Sequence, residues 1–374
     1  MITRGRSDRW LLAAALMLTA FGILMVYSAS ANYASARLGD GAYFLKRQAG
    51  AAAFGLVLLW MLTRIGYRRL EWTAVPLLFF SIVLLILVRV PGLGHVAGGA
   101  RRWLHIGPLT FQPSELAKVA LVFFLARSLA KKGDTVRDFR TGFLPHALIT
   151  LVLIGRLMLQ PDFGTTFSVA ALTWALLFVA GARLSHLVLT VLLAVPPVVL
   201  LVIYAPYRLR RLLAFLHPDA DPTGVGYQVH EALISIGSGG LTGQGLGESR
   251  QKLFYLPAAH TDFILPIIGE ETGLFGIAMV VALFLLLAWR GLRAARAAPD
   301  AFGAYLAVGL TALLCLETLV NAGMSMGLLP TKGMALPFLS YGGTSLVVSM
   351  AVVGLLLSVS SGPGGYLRAP TGAR

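Results

Sequence analysis

Charge is what this sequence has least of. Only 13% of its 374 residues are Asp, Glu, Lys or Arg, against 57% hydrophobic; an average soluble domain carries about 25% charged residues. So few charges cannot cover the surface of a soluble enzyme, and a soluble single-domain fold is excluded. Cysteine is scarcer still. Cys315 stands alone in an apolar stretch, which rules out a disulfide framework and a cysteine-based metal site. There is no Walker lysine motif, no dinucleotide fingerprint and no H-E-x-x-H, so nucleotide and zinc-peptidase chemistry find no support. No internal repeat marks a two-half transporter. The glycine-rich run from Gly237 to Gly247 lacks the strand and helix that frame a phosphate loop, and it reads as a flexible turn.

What the chain has instead is long apolar runs. A hydrocarbon core about 30 Å thick needs about 20 apolar residues as a helix. Ten runs approach that length: Leu11–Ala31, Gln48–Thr63, Trp72–Val90, Pro113–Leu129, Phe143–Leu159, Phe163–Ala180, Leu184–Tyr204, Phe263–Trp289, Phe302–Leu319 and Gly343–Ser360. They predict an all-α polytopic integral membrane protein with about ten transmembrane helices in one membrane domain over 1–374. One long extracytoplasmic loop covers about 205–262.

The net charge of +15 would suggest nucleic acid in a soluble protein, but its distribution suggests a membrane. The N-terminus, the even-to-odd loops and the C-terminal tail hold 17 basic residues, among them Arg4, Arg6, Arg9, Arg64, Arg68, Arg69, Lys131, Lys132, Arg137, Arg293, Arg368 and Arg374. The opposite short loops hold six: Arg37, Lys46, Arg47, Arg101, Arg102 and Lys332. Basic residues gather in cytoplasmic loops, so both termini are expected inside the cell. Residues near Pro218 and Gly239 are then outside, and those near Arg137 and Arg293 inside. No nucleic acid partner is needed. Ala29-Ser30-Ala31 imitates a signal-peptide cleavage site, but the preceding apolar run exceeds the usual ~7–15 residues, so an uncleaved first span is expected.

Charges at membrane depth cost about 2.5–3.5 kcal/mol each mid-helix, which makes them the first candidates for function. Three polar clusters qualify, all toward the outer side. The first joins Arg101-Arg102-Trp103 to Gln112-Pro113-Ser114-Glu115-Leu116-Ala117-Lys118. Pro113 suits a first helical turn, so Glu115 and Lys118 become i,i+3 neighbours able to pair. They read equally as a buried pair that orients a helix and as the wall of a polar cavity; Trp103 reads as an interfacial anchor.

The second cluster is His260-Thr261-Asp262, with Glu270-Glu271 further along. Asp262 and Glu270 would lie about 12 Å apart on a helix, beyond the roughly 5–9.5 Å of glycosidase carboxylate pairs. A two-carboxylate site is therefore disfavoured, and Asp262 either begins a helix or works alone. His260 reads as a hydrogen-bonding interfacial residue. The third cluster is Thr331-Lys332-Gly333 with Ser340-Tyr341-Gly342-Gly343, where Lys332 faces either solvent or an anionic headgroup. Asp162 after Pro161 reads as a turn or cap residue. Together these groups suit an amphiphile whose charged head lies at headgroup level and whose tail stays in lipid.

The same residues carry a family likeness. Val26-Tyr27-Ser28-Ala29-Ser30, Lys46-Arg47-Gln48, Gly99 to Trp103, Phe111 to Lys118, Gln160 to Thr165, Gly226-Tyr227-Gln228, Gln251 to Pro257, His260 to Phe263, Gly269-Glu270-Glu271, Leu329 to Gly333 and Pro337 to Gly343 follow one another nearly end to end. In this the chain resembles the SEDS family (shape, elongation, division and sporulation), and its cell-division branch more than its elongation branch. The resemblance implies a peptidoglycan glycosyltransferase in the bacterial cytoplasmic (inner) membrane at the division septum. Such an enzyme polymerises lipid II into glycan strands at the outer face, inverts the anomeric centre and releases undecaprenyl pyrophosphate. It implies a class B penicillin-binding transpeptidase and other division-complex proteins as partners. It also places the family's essential aspartate on Asp262, and Glu115, Lys118 and Lys332 on the polar cavity. Arg101, Arg102, Gln112, His260, Ser340 and Tyr341 complete the candidate substrate-binding set. No cofactor is called for beyond a divalent cation, Mg2+ or Mn2+. A lipid II flippase fits the buried charges and a central cavity equally well, and a non-catalytic division scaffold is a third reading.

Overall fold

The computed structural model describes residues 7–97, 100–106, 109–204, 209, 215, 225–253 and 255–362. Arg4, Arg6, Gly99, Pro218, Phe254, Arg368 and Arg374, named above, lie outside the described residues.

Each of the ten apolar runs forms a helix. In chain order the helices are α1 (Arg9–Leu38), α2 (Tyr43–Ile65), the short α3 (Tyr67–Leu70), α4 (Ala74–Leu87), α5 (Pro113–Lys132), α6 (Leu144–Met158), α7 (Phe163–Val179), α8 (Leu184–Ile203), α9 (Val225–Ser238), α10 (Ile264–Arg296), α11 (Ala301–Ser325) and α12 (Gly343–Ser360). Among the described residues seven helical stretches are long and apolar enough to cross a membrane: α1, α2, Tyr67–Leu87, Phe139–Met158, α10, α11 and α12. Two more, α7 and Leu184–Leu200, are shorter apolar helices. The helix α5 has the length but carries Glu115, Lys118, Arg127, Lys131 and Lys132.

Local chemistry sets the helix starts. The Asp8 carboxylate accepts from Trp10 N and Leu11 N at the head of α1, Asp162 from Thr165 N at α7, and Asp300 from Gly303 N at α11; such caps satisfy backbone donors that a helix start leaves unpaired. Large apolar side chains are exposed on the outward faces of most spanning helices, as expected where lipid replaces water. On α1, Leu11, Leu18 and Met25 are fully buried against neighbouring helices while Leu16, Met17 and Leu24 are exposed. The helix runs unbroken through Ala29-Ser30-Ala31, with Ala29 and Ser30 buried in its packing face.

Contacts between distant residues define two ends of the bundle. At the terminal end, Arg290 Nε meets Asp8 Oδ2 at 2.5 Å, Asp8 N donates to Ser360 Oγ, and Arg68 pairs with Asp300 at 2.8 Å. At the loop end, Gln48 Nε2 donates to Ser340 O, Tyr341 N to His260 O, and Arg102 to the carbonyls of Gln160 and Pro161. A small antiparallel sheet, which the helical reading does not include, also sits at the loop end. Its strands β1 (Gly94–Ala97), β2 (Ala100–Ile106) and β3 (Leu109–Phe111) pair in the order β1-β2-β3. Arg101 and Arg102 lie on β2, so alternation sends them to opposite faces.

The glycine run from Gly237 to Gly247 is more ordered than a flexible turn. Its segment after α9 is inserted into a break in α10 at Gly273, whose backbone (φ 65°, ψ −162°) is non-helical. The break frees carbonyls and amides that then pair with the inserted loop: Gln244 N and Gly245 N donate to Glu270 O and Glu271 O, while Leu274 N and Phe275 N donate to Gly240 O and Leu241 O. Irregular backbone within an apolar bundle is tolerated where neighbouring protein satisfies it. Glycine permits the approach, because a Cβ on Gly239 would stand 1.9 Å from Gly269 O. Gly239→Ala is therefore expected to lower stability by about 1–3 kcal/mol through overpacking, seen as a lower melting temperature of the detergent-solubilised protein.

Candidate active site

Asp262 immediately precedes α10, on the segment that follows the inserted loop. It is half-buried. The helix takes Phe263 as its N-cap, with no side-chain capping bond, so starting α10 is not what the carboxylate does. Two features hold Asp262 in place. Its backbone carbonyl accepts from Asn321 Nδ2 at 2.9 Å, and the same amide donates to Met334 O at 2.6 Å. Asn321, on α11 and fully buried, thus ties Asp262 to the loop carrying Lys332. On that loop Gly333 lies against the carboxylate; a Cβ there would sit 3.3 Å from Asp262 Oδ2.

Lys332 completes this side. Its Nζ lies 5.1 Å from the centroid of the Phe167 ring. Burial lowers its pKa, and the negative charge of Asp162 partly offsets that. Asp162 itself is buried and caps α7 through Thr165 N and Thr165 Oγ1.

His260 and Tyr341 pack together, their rings 5.9 Å apart, with Phe44 4.7 Å from His260 and 4.8 Å from Tyr341. Burial pushes the His260 imidazole down to about 4 and the Tyr341 phenol up. Both rings are therefore neutral at ordinary pH, and His260 offers hydrogen bonds rather than charge. Ser340 turns inward: its Oγ accepts from Leu336 N, and its carbonyl is held by the buried amide of Gln48.

Glu115 and Lys118 do pair, at 2.7 Å, and a third residue joins them. Lys118 Nζ also contacts the carboxylate of Glu317 on α11, and all three residues are buried. Glu317 lies four residues before Asn321, about one helical turn or 6 Å along the axis. A single face of α11 therefore connects the ionic cluster to the anchor of Asp262.

Gln112 stands at the head of α5, its side-chain Nε2 donating to Ser114 Oγ and its backbone N to Thr344 Oγ1 of α12. Arg102 fastens β2 to the α6–α7 turn at Gln160 O (3.1 Å) and Pro161 O (2.6 Å). Arg101 on the same strand is exposed and makes no ion pair among the described residues.

Glu270 and Glu271 face the inserted loop. Glu270 accepts from Ser235 Oγ (3.0 Å), Ser249 Oγ (2.6 Å) and Arg250 N (2.9 Å). Glu271 accepts from Ser28 Oγ of α1 at 2.6 Å and pairs with buried Lys252 at 2.9 Å. Among the described residues no three His, Cys, Asp or Glu side chains converge as a metal site.

Sequence reasoning missed Glu317 and Asn321 as members of the site. Each is a lone polar residue in an otherwise apolar run, and their cost at membrane depth was the available signal.

The family described as "Cell cycle protein" (FTSW_RODA_SPOVE) matches residues 8–362. The probable peptidoglycan glycosyltransferase FtsW of Trichlorobacter lovleyi is 48% identical over 355 residues, 95% of this chain and 93% of that protein. Stage V sporulation protein E of Bacillus subtilis is 41% identical over 94% of this chain and 96% of its own length. Among solved structures, one described as the structural coordination of polymerization and crosslinking by a peptidoglycan synthase complex superposes with a TM-score of 0.79 at 32% identity, covering 95% of this chain and 97% of that one. The rod shape determining protein RodA of Thermus thermophilus gives 0.70 at 31% identity over 95% and 96%. With a family match across nearly all of the chain, this multi-pass membrane protein belongs to the SEDS family of FtsW, RodA and SpoVE proteins.

Proposed function

We propose that this chain is a peptidoglycan glycosyltransferase that joins lipid II into glycan strands during septal wall synthesis. The observation that carries this reading is Asp262: a half-buried carboxylate anchored through its backbone by Asn321 and left beside a residue without a side chain, Gly333. A partly exposed carboxylate on an anchored backbone is what a general base for a sugar hydroxyl requires.

In the proposed reaction a hydroxyl of the acceptor sugar passes its proton to Asp262 as its oxygen attacks the anomeric carbon of the donor. The new glycosidic bond forms as the bond to the undecaprenyl pyrophosphate oxygen breaks, and a single displacement inverts the centre. The leaving group departs as an anion, so no second carboxylic acid is needed. Arg101 and Lys332 are the cations proposed to stabilise its charge electrostatically. Arg102, held on two carbonyls, is proposed to fix the strand that presents Arg101. Gln112, His260, Ser340 and Tyr341 are proposed to shape the substrate's surroundings. Magnesium is usually held by one or two carboxylates plus substrate phosphates. The protein supplies no ready three-ligand cluster for Mg2+ or Mn2+ among its described residues, and no step here is routed through a cation.

The test is polymerisation of lipid II by the purified full-length chain in detergent, alone and with a class B penicillin-binding transpeptidase. Detergent abolishes the two compartments, so a polymerase yields glycan strands where a flippase or scaffold yields none. The proposed partner is a transpeptidase whose membrane helix docks on this chain; the synthase complex named above supports it. Polymerisation is expected to rise when the two are combined. Co-purification with an unchanged rate would remove the activating role.

The proposal also fixes an orientation, with the loop end outside the cell and the termini in the cytoplasm. With Cys315 replaced, a cysteine at the exposed Leu241 is expected to react with an impermeant thiol reagent in intact cells, and cysteines at Arg137 or Arg293 only after permeabilisation. Labelling at Arg137 in intact cells would overturn the orientation.

A further inference from the structure

We infer that the cleft between α1 and α10 at the terminal end binds the headgroup phosphate of an anionic phospholipid. The site lies at the opposite end of the bundle from Asp262 and does not rest on the catalytic reading. The cleft measures about 340 Å³, and Asp8, Arg9, Trp10, Arg290, Arg293 and Ser360 are among its lining residues. One of its three arginines is neutralised: Arg290 pairs with Asp8 at 2.5 Å, both side chains largely buried. That pair is tied in turn to α12, because Asp8 N donates to Ser360 Oγ. Arg9 and Arg293 are exposed and form no ion pair among the described residues. Two helices thus bring two unpaired guanidiniums to one cleft with a fixed floor, an arrangement suited to bidentate bonds with phosphate oxygens.

The surfaces below the arginines argue for a lipid over a soluble anion. On α10 the exposed Trp289 and Leu285 precede Arg293 by four and eight residues, on one helical face. On α1 the exposed Leu16 follows Arg9 by seven residues, beside the exposed Trp10 and Met17. Each arginine therefore heads an apolar stripe against which the upper part of an acyl chain can lie, with an indole near the level where Trp anchors to headgroups. Basic pockets between membrane helices recognise anionic headgroups through this combination of charge and apolar flank.

The test is native mass spectrometry of the purified full-length chain with phosphatidylglycerol, phosphatidylcholine or inorganic phosphate. The wild type is expected to retain phosphatidylglycerol in preference to phosphatidylcholine. The double variant Arg9→Gln/Arg293→Gln is expected to lose that retention by about 30-fold, the weight of two basic side chains near an anionic headgroup. A second double variant, Arg69→Gln/Arg296→Gln, removes the same charge from exposed arginines that do not line the cleft, and should retain the lipid as the wild type does. Equal loss in the two double variants would mean diffuse attraction and overturn the site. So would equal retention of the two lipids, or inorganic phosphate displacing phosphatidylglycerol completely at equal concentration.

Discussion

Purified Asp262→Asn is expected to polymerise lipid II about 10²–10⁴-fold more slowly than wild type, the contribution typical of a positioned general base. The substitution is nearly isosteric and leaves the fold intact, because the anchor from Asn321 reaches the backbone carbonyl of residue 262 and not its carboxylate. The loss should fall on the rate at saturating substrate, since the proton moves only in the transition state. Lipid II binding, followed separately, should change little. Asparagine cannot accept the proton, and the acidic side chains that follow it in sequence are already engaged. The nearest in sequence, Glu270 and Glu271, are occupied by Ser235, Ser249, Ser28 and Lys252. An Asp262→Asn protein that polymerises at near wild-type rate would remove Asp262 from the role of base.

The two glutamates show how far sequence reasoning reaches. Their distance from Asp262 along a helix disfavours them as its catalytic partners, and on that ground alone Glu270→Gln and Glu271→Gln should matter less to catalysis. Spacing does not reveal that they hold the inserted loop on the broken helix, because their partners Ser28 and Lys252 come from other segments. The helices themselves were legible, since apolar length is a local property that lipid enforces. The cap at Asp162 was legible too, because a Pro-Asp step before an apolar run has a local cause. The helix α9, the three-stranded sheet and the break at Gly273 were not. Each depends on pairing with backbone far away in the chain, as in Gln244 N donating to Glu270 O. In the same way the pair of Glu115 and Lys118 could be read from i,i+3 spacing. Its third member, Glu317, lies 199 residues from Lys118, beyond any local pattern.

That third member makes Lys118 the position where the largest stability change is expected. Lys118→Met leaves Glu115 and Glu317 buried with their shared cation gone, and removing one partner of a buried ion pair costs about 3–5 kcal/mol. The variant should melt at a clearly lower temperature in detergent, or reach the membrane in reduced amount. A structural role and a substrate-binding role for the cluster both predict this loss, so the single variant does not separate them. The triple variant Lys118→Met/Glu115→Met/Glu317→Met does. It replaces the three charged side chains with apolar ones of similar volume, and such replacements are often neutral for stability. If the cluster only joins α5 to α11, melting temperature and polymerisation recover together. If its charges face lipid II, as their position one helical turn from the Asn321 anchor suggests, the melting temperature recovers while polymerisation stays low. Recovery of both would remove Glu115 and Lys118 from the substrate site and leave them as the ionic tie between two helices.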